Sequence, residues 1–246
     1  MKKTRGILFD VYGTLIDILT DEGMNSLYEP LVRVLYYYGI SIDYRALRDT
    51  YFSMVKRQKE ASREKYPEMN IEDIWLEFLQ EQKRKKNVRL TIKREGRWAE
   101  KMALLFRGLS MLRLELYRGV KETLIALALD YKLGIISDAQ NLFVMHELKL
   151  LGIFDLFDAM VVSNEFGYRK PDPRIFGNCL KELGIGADNA VFVGNDMYRD
   201  IFGAKQVGMK TIFFSTQYGA KEYNNIRPDR IIQGYYELPD TIRAMS

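Results

Sequence analysis

Residues 6–15 read Gly6-Ile7-Leu8-Phe9-Asp10-Val11-Tyr12-Gly13-Thr14-Leu15. The first four residues carry no polar side chain on either alternate face. They therefore describe a strand buried on both sides, the mark of a parallel sheet rather than a half-exposed hairpin. An aspartate directly after such a strand lies at the carboxyl end of the sheet. Gly13 permits a tight turn there, and the Thr14 hydroxyl can bond an anion. Alone, Asp-x-x-Gly-Thr is a weak signal, because aspartate also serves as a turn or capping residue. The rest of the chain supplies the context.

Apolar runs of the same kind recur at Leu133–Ile136, Ala159–Val162, Ala190–Val193 and Thr211–Phe214, with a weaker one at Ile231-Ile232. Helix-length segments lie between them, at Gln140–Leu151, Asp172–Leu183 and Asp200–Val207. This β-α-β-α repetition predicts an α/β fold, a doubly wound parallel sheet of Rossmann-like type, with ligands at the carboxyl ends of the strands. Residues 20–115 differ: they show helical spacing and no convincing strand. Leu27, Leu31, Val34, Leu35 and Tyr38 share one face, as do Leu47, Tyr51, Met54 and Val55. Two more faces carry Ile71, Ile74, Trp75, Phe78 and Leu79, then Trp98, Met102, Leu105, Phe106 and Leu109. The expected organisation is a core of residues 1–17 and 116–246 with an inserted four-helix domain over 18–115, leaving near Asp17 and returning near Arg118-Gly119-Val120. An insertion after the first strand is expected to lie over the site like a lid.

The 246 residues are 47% hydrophobic and 28% charged, enough for one core or a core with a smaller annex. That balance excludes a disordered or collagen-like chain, and a single cysteine, Cys179, excludes an internal disulfide framework. Cys179 reads as a packing residue. No apolar run approaches the ~18 residues of a membrane span, and Lys2 and Lys3 precede only a short apolar stretch before Asp10. A cytoplasmic protein with no membrane partner is expected. The net charge of +4 resides wholly in residues 18–115, with 19 Lys+Arg against 15 Asp+Glu; the remainder has 18 of each. The run from Lys83-Arg84-Lys85-Lys86 to Arg97 holds few aromatics to stack bases, so it reads as a solvated helix end and loop, with no nucleic-acid partner. His146, the one histidine, reads as a surface helix residue, and Trp75 and Trp98 as core.

Three further strand ends change the weight of Asp10. The second apolar run ends in Ser137-Asp138, placing a hydroxyl and a helix N-terminus beside the same crevice. Lys170-Pro171-Asp172-Pro173 follows the third and opens a helix with proline in its first turn. The fourth ends in Gly194-Asn195-Asp196, with Asp200 one turn later. Carboxylates, a lysine and two hydroxyls thus converge on one end of one sheet.

In these four stretches the chain resembles the haloacid dehalogenase superfamily, whose motifs stand here in order over the whole sheet domain, with the insertion resembling the family's helical cap. The resemblance implies that Asp10 is a nucleophile forming a covalent aspartyl intermediate that water hydrolyses. It implies that Thr14, Ser137 and Asp138 lie at the substrate group, with Lys170 neutralising charge on Asp10 and substrate. For the phosphatase branch it implies Mg²⁺ held by Asp10, the Tyr12 carbonyl and Asp196, with Asp200 positioning a metal-bound water. One position departs from that branch. Family phosphatases carry an aspartate two residues after the nucleophile, as acid to the leaving alcohol and base to the water, and this chain has Tyr12. A phenol of ordinary pKa ≈ 10 is a poor base at neutral pH, so esters whose leaving group is stable as an anion are expected to react better than alkyl phosphates.

Two enzymatic readings follow, with a small molecule as substrate in both. The first is a Mg²⁺-dependent phosphatase of a small phosphorylated metabolite. The second is a metal-independent 2-haloacid dehalogenase, whose family members have tyrosine where Tyr12 stands but uncharged residues where Asp196 stands. Arg33 and Arg45, read as solvated, are the nearest cations in the insertion to receive a halide. A non-catalytic module binding a partner through its cap is a third reading, against which Asp10, Lys170, Asp196 and Asp200 together stand.

Overall fold

The computed structural model describes residues 4–85 and 91–245. The chain forms two compact units, Met1–Ile18 with Leu114–Ser246, and Leu19–Arg113. Along the chain, β1 (Gly6–Phe9) and β2 (Ile16–Thr20) precede helices α1 (Asn25–Tyr37), α2 (Tyr44–Ala61), α3 (Ile71–Arg84) and α4 (Glu95–Ser110). Then follow β3 (Met111–Leu116), α5 (Val120–Leu127), β4 (Lys132–Ser137), α6 (Asn141–Leu150), β5 (Ala159–Val162) and α7 (Pro173–Leu183). The chain ends with β6 (Ala190–Gly194), a π-helical segment (Met197–Phe202) continued by α8 (Gly203–Gln206), β7 (Lys210–Phe214), β8 (Arg230–Ile232) and α9 (Leu238–Met245).

The first unit is built on a six-stranded sheet in the order β5-β4-β1-β6-β7-β8, and every pairing is parallel. Alternation along β1 shows why the apolar run lacks a polar side. Ile7 and Phe9 pack on one face with Val120 and Leu124 of α5 and Val144 and Leu148 of α6. Leu8 packs on the other, with Ile175, Phe176 and Cys179 of α7. All three β1 side chains are fully buried, each worth roughly 1.5–3 kcal/mol of hydrophobic transfer. Phe9 is level with Ile135 of β4 and Val193 of β6, so the three strands run in parallel to the same end of the sheet. The chain order reverses across β1, with β4 on one side and β6 on the other, and ligand crevices in open α/β sheets form at such a point.

The four helices of the second unit bury the faces read from their spacing: Leu27, Leu31 and Leu35; Leu47, Tyr51 and Met54; Ile71, Ile74, Trp75 and Phe78; Trp98, Met102 and Phe106. Val34, Leu105 and Leu109 are only half-buried. Tyr51, Trp75, Trp98 and Phe106 form a contiguous aromatic cluster, with the Tyr51 and Phe106 rings 4.4 Å apart. Tyr36 and Tyr37 are exposed, while Tyr38 packs edge-on against Trp98. The expectation of no strand over residues 20–115 needs correction. β2 reaches Thr20 and pairs with β3, which begins at Met111. Both are short and half-buried, and a two-stranded ribbon has little to announce it until the partner is in register. The basic run is solvated where described: Lys83 pairs with Glu95, and Arg84 and Lys85 are exposed, while Lys86 lies outside the described residues. His146 is exposed and Cys179 is buried in the core.

Candidate active site

Asp10 follows β1, and its backbone N–H still donates to Val193 of β6, which fixes the residue at the sheet's end. The chain then turns sharply. Leu15 and Ile16 donate back to the Val11 carbonyl, with Gly13 at φ +83°, a conformation that favours glycine. A methyl group at Gly13 would also meet the Asn195 side-chain amide at 2.4 Å. The turn brings the Thr14 hydroxyl to the nucleophile candidate, donating to Asp10 Oδ2 at 2.8 Å. Two distant residues clamp the same turn: Tyr235 donates to the Thr14 carbonyl (3.0 Å) and Thr216 to the Gly13 carbonyl (3.2 Å).

Lys170 supplies the positive charge. Its Nζ lies 2.6 Å from Asp10 Oδ1 and 2.7 Å from Asp200 Oδ1, with all three side chains buried. Burial pulls the ammonium's pKa down, but Asp10, Asp200 and Asp138 outweigh it and hold the pKa above the ordinary value. Asp200 is subject to the reverse balance. Burial raises its carboxyl, to about 7, while the Lys170 ammonium pulls it down. Its Oδ2 accepts the backbone N–H groups of Asn195 and Asp196, both at 3.0 Å. With an ammonium on one oxygen and two amides on the other, the geometry is that of a carboxylate. Gly194 makes this approach possible, since a methyl group there would lie 2.5 Å from Asp200 Cγ.

Lys170 is placed by local chemistry at its own end of the sheet. Asp172 caps α7 through the Arg174 N–H, with Pro173 in the first turn. The backbone N–H of Lys170 donates to Asp138 Oδ1 at 2.9 Å. Asp138, expected at the substrate, thus ties the end of β4 to the lysine. Ser137 is fully buried, and its Oγ has no hydrogen-bond partner among the described residues. A buried hydroxyl in that state sits ready for an acceptor from outside the chain.

Asp196 is the clearest departure from expectation. Its Oδ1 accepts the N–H groups of Tyr198 (2.9 Å) and Arg199 (2.8 Å), capping the π-helical segment. Its Oδ2 accepts Arg199 Nε (3.0 Å) and the Ala220 N–H (3.1 Å). Burial pushes its pKa up, but these amides and the Arg199 charge prevail and hold it below the ordinary value. With two donors on each oxygen, its lone pairs are used within its own turn, so Asp196 is not a metal ligand in this arrangement. Asp200, expected to position a metal-bound water, is likewise occupied by Lys170 and two amides. The side chain that faces the β1 turn is Asn195, whose Oδ1 lies 3.2 Å from Thr14 Oγ1 and whose Nδ2 donates to Thr216. Thr14 has one proton, and two oxygens, Asp10 Oδ2 and Asn195 Oδ1, lie within reach of it.

Sequence reasoning missed Asn195, Tyr235, Thr216 and Glu147. Glu147 had a signal. On α6 it falls at helical spacing between buried Val144 and Leu148, a carboxylate on an apolar face. It is 3% exposed and accepts the Tyr12 hydroxyl at 2.5 Å. Arg45 lies exposed against Tyr44 in the second unit, and Arg33 is exposed.

Fold and site together define an α/β protein with a buried carboxylate–ammonium–carboxylate centre where parallel strands end at a reversal of chain order. The sequence profile described as haloacid dehalogenase-like hydrolase matches residues 7–214, and the chain belongs to that family. Among curated relatives it is 26% identical over 217 residues to a glyceraldehyde 3-phosphate phosphatase of Pyrococcus furiosus, covering 87% of this chain and 82% of that protein. It is 35% identical over 127 residues to the enzyme of the same name from Pyrococcus abyssi, covering 51% of this chain. The chain spans only about half the length of that second relative (53%). Among solved structures, a 2-haloacid dehalogenase of Pseudomonas syringae superposes with a TM-score of 0.71 at 20% identity, covering 99% of this chain and all of that one. A phosphatase of the family from Thermococcus onnurineus gives 0.59 at 24% identity, covering 97% and 98%. These likenesses establish the fold.

Proposed function

We propose that this chain is a phosphatase of small phosphorylated metabolites, working through a phosphoryl group carried on Asp10. The reading is carried by the buried Asp10 carboxylate, held between the Lys170 ammonium and the Thr14 hydroxyl, with the unpartnered Ser137 hydroxyl on the adjacent strand. Asp10 attacks phosphorus and the P–O bond to the ester oxygen breaks, its electron pair departing with that oxygen, while Lys170 offsets repulsion between two anions. Ser137, whose hydroxyl lacks an acceptor, donates to a phosphoryl oxygen. Water then attacks the phosphorus, and the electron pair of the broken P–O bond returns to Asp10. The names of the Pyrococcus relatives support a phosphate ester as substrate, a triose phosphate being the first to try.

The oxygens of Asp10 and Asn195, two hard donors sharing one Thr14 proton, fit a small cation such as Mg²⁺. Asp10 and Asn195 would hold it, with the Tyr12 carbonyl implied by the family resemblance; Asp196 would not, in the arrangement described. When bound, the ion neutralises charge between nucleophile and phosphate.

A second reading, 2-haloacid hydrolysis, has one specific observation in its favour: the side chain after β6 that reaches Thr14 is an uncharged amide, Asn195. One panel separates the two. Phosphate esters, acyl phosphates and 2-haloacids are each incubated with Mg²⁺ and with EDTA. Phosphate release lost in EDTA is expected, and 2-haloacid turnover persisting in EDTA would overturn the phosphatase reading.

A further inference from the structure

The first unit holds a cleft of about 590 Å³ that none of the residues of the catalytic centre lines. Its size is within the roughly 300–1,000 Å³ range of small-molecule sites. Phe214 closes β7 and Gln233 follows β8, so the cleft lies at the carboxyl end of the sheet, the end that carries Asp10. Three aromatic residues, Tyr117, Phe214 and Tyr236, line it together with Arg118 and Gln233. Tyr117 and Phe214 pack edge to face with ring centroids 5.2 Å apart, and Tyr236 is exposed. Gly119, also at the wall, begins α5 with no side chain capping the helix's first amides. Among the described residues no carboxylate lines the cleft. Glu237, close by in sequence, has its Oε1 taken by the N–H groups of Gln233 and Gly234, at 3.0 and 2.9 Å. Aromatic faces, one cationic residue and a helix start, with no competing anion, suit a flat molecule carrying a single negative charge.

The same walls hold the turn after Asp10. The Tyr117 N–H donates to the Leu15 carbonyl at 3.1 Å. Phe214 packs against Tyr235, with centroids 5.1 Å apart, and the fully buried Tyr235 phenol donates to the Thr14 carbonyl at 3.0 Å. At that depth no water can replace the phenol, so the position of the ring and the position of Thr14 are tied.

We propose that this cleft is a regulatory binding site for a small aromatic carboxylate, whose seating steadies the Asp10 turn through Tyr117 and Tyr235. A ligand that binds the arrangement in which both clamps are made shifts the population toward it.

The probe is naphthoate, with naphthylmethanol as its uncharged counterpart, titrated calorimetrically into the wild-type chain, Arg118→Gln and Ser137→Ala. Wild type is expected to bind one equivalent of naphthoate. The alcohol, and naphthoate with Arg118→Gln, should each bind about three- to tenfold more weakly, while Ser137→Ala keeps wild-type affinity. No binding, or equal binding of acid and alcohol, would overturn the proposal. So would weakening in Ser137→Ala with Arg118→Gln unaffected, which would place naphthoate at the catalytic centre. The coupling is read by amide hydrogen exchange at Thr14, Leu15 and Ile16, whose N–H groups all meet the Val11 carbonyl. With free naphthoate at about ten times its Kd, their exchange should slow about tenfold. Most of that slowing should vanish in Tyr235→Phe, which keeps the ring beside the cleft but lacks the phenol. No slowing in wild type, or equal slowing in Tyr235→Phe, would overturn the coupling. None of these readouts depends on turnover, so they stand or fall apart from the phosphatase reading.

Discussion

Asp10, Asn195 and Asp196 carry different tasks although two of them are neighbours. Asp10→Asn is expected to abolish turnover with little change in thermal unfolding, because the amide keeps the shape but is a poor nucleophile. Residual activity of wild-type order would remove Asp10 from its role. At the end of β6 the assignments divide by direction. Asp196→Ala should leave Mg²⁺ affinity close to wild type in calorimetry while costing about 1 kcal/mol of stability through the lost helix cap. Asn195→Asp should tighten Mg²⁺, and Asn195→Ala weaken it. A collapse of Mg²⁺ affinity in Asp196→Ala would restore Asp196 as the ligand. The stability loss also carries a pH signature. The pKa of Asp196 is lowered from its ordinary 3.8, so its contribution is present above that value and fades as acid protonates the folded carboxylate. The gap between wild type and Asp196→Ala should therefore be full at neutral pH and shrink below about pH 4.

At the scale of elements, the junction from β6 into the π-helical segment sets the geometry of the centre. Gly194 closes β6, and the carboxyl of Asp200 lies where any side chain at 194 would begin. Gly194→Ala is expected to cost roughly 1–3 kcal/mol by overpacking and to push Asp200 off Lys170. Turnover should then fall more than substrate affinity, read as a drop in kcat with KM nearly unchanged. Unchanged kcat would mean that the Asp200–Lys170 contact does not matter to the chemistry. The π-helical start of this segment explains why a helix beginning at Asp200 was expected from spacing. Asp196 caps the segment four residues earlier, and a wide turn does not follow the 3.6-residue period.

At the scale of the whole molecule, the two units have separate cores, and both tryptophans, Trp75 and Trp98, belong to the second. Tryptophan fluorescence therefore reports unfolding of that unit. Phe106, in the aromatic cluster with Tyr51 and Trp75, is the probe. Phe106→Ala should lower the stability read by fluorescence by about 3–5 kcal/mol, the range for deleting a buried aromatic ring. An unmoved transition would show that the cluster is not the packing centre of the helical unit.

The sheet strands, the four helical faces and the convergence of Asp10, Ser137, Lys170 and Asp200 were legible in the residues alone. Each rests on local pattern: continuous apolar runs, helical spacing, and polar residues placed directly after a strand. Family motifs added roles to those positions. Direction was another matter. Whether Asp196 or Asn195 turns to Thr14 depends on which side chain the π-helical turn claims as its cap, and the two residues are adjacent with opposite outcomes. The β2–β3 ribbon joins strands separated by four helices, and neither strand carries a strong signal alone. Glu147 meets Tyr12 across 135 residues because α5 and α6 pack on one face of the sheet and carry that face toward the β1 turn. Hydrogen bonds between such distant partners depend on register, packing and lone-pair occupancy, which tertiary structure decides, while burial and polarity repeat locally along the chain and are readable from it.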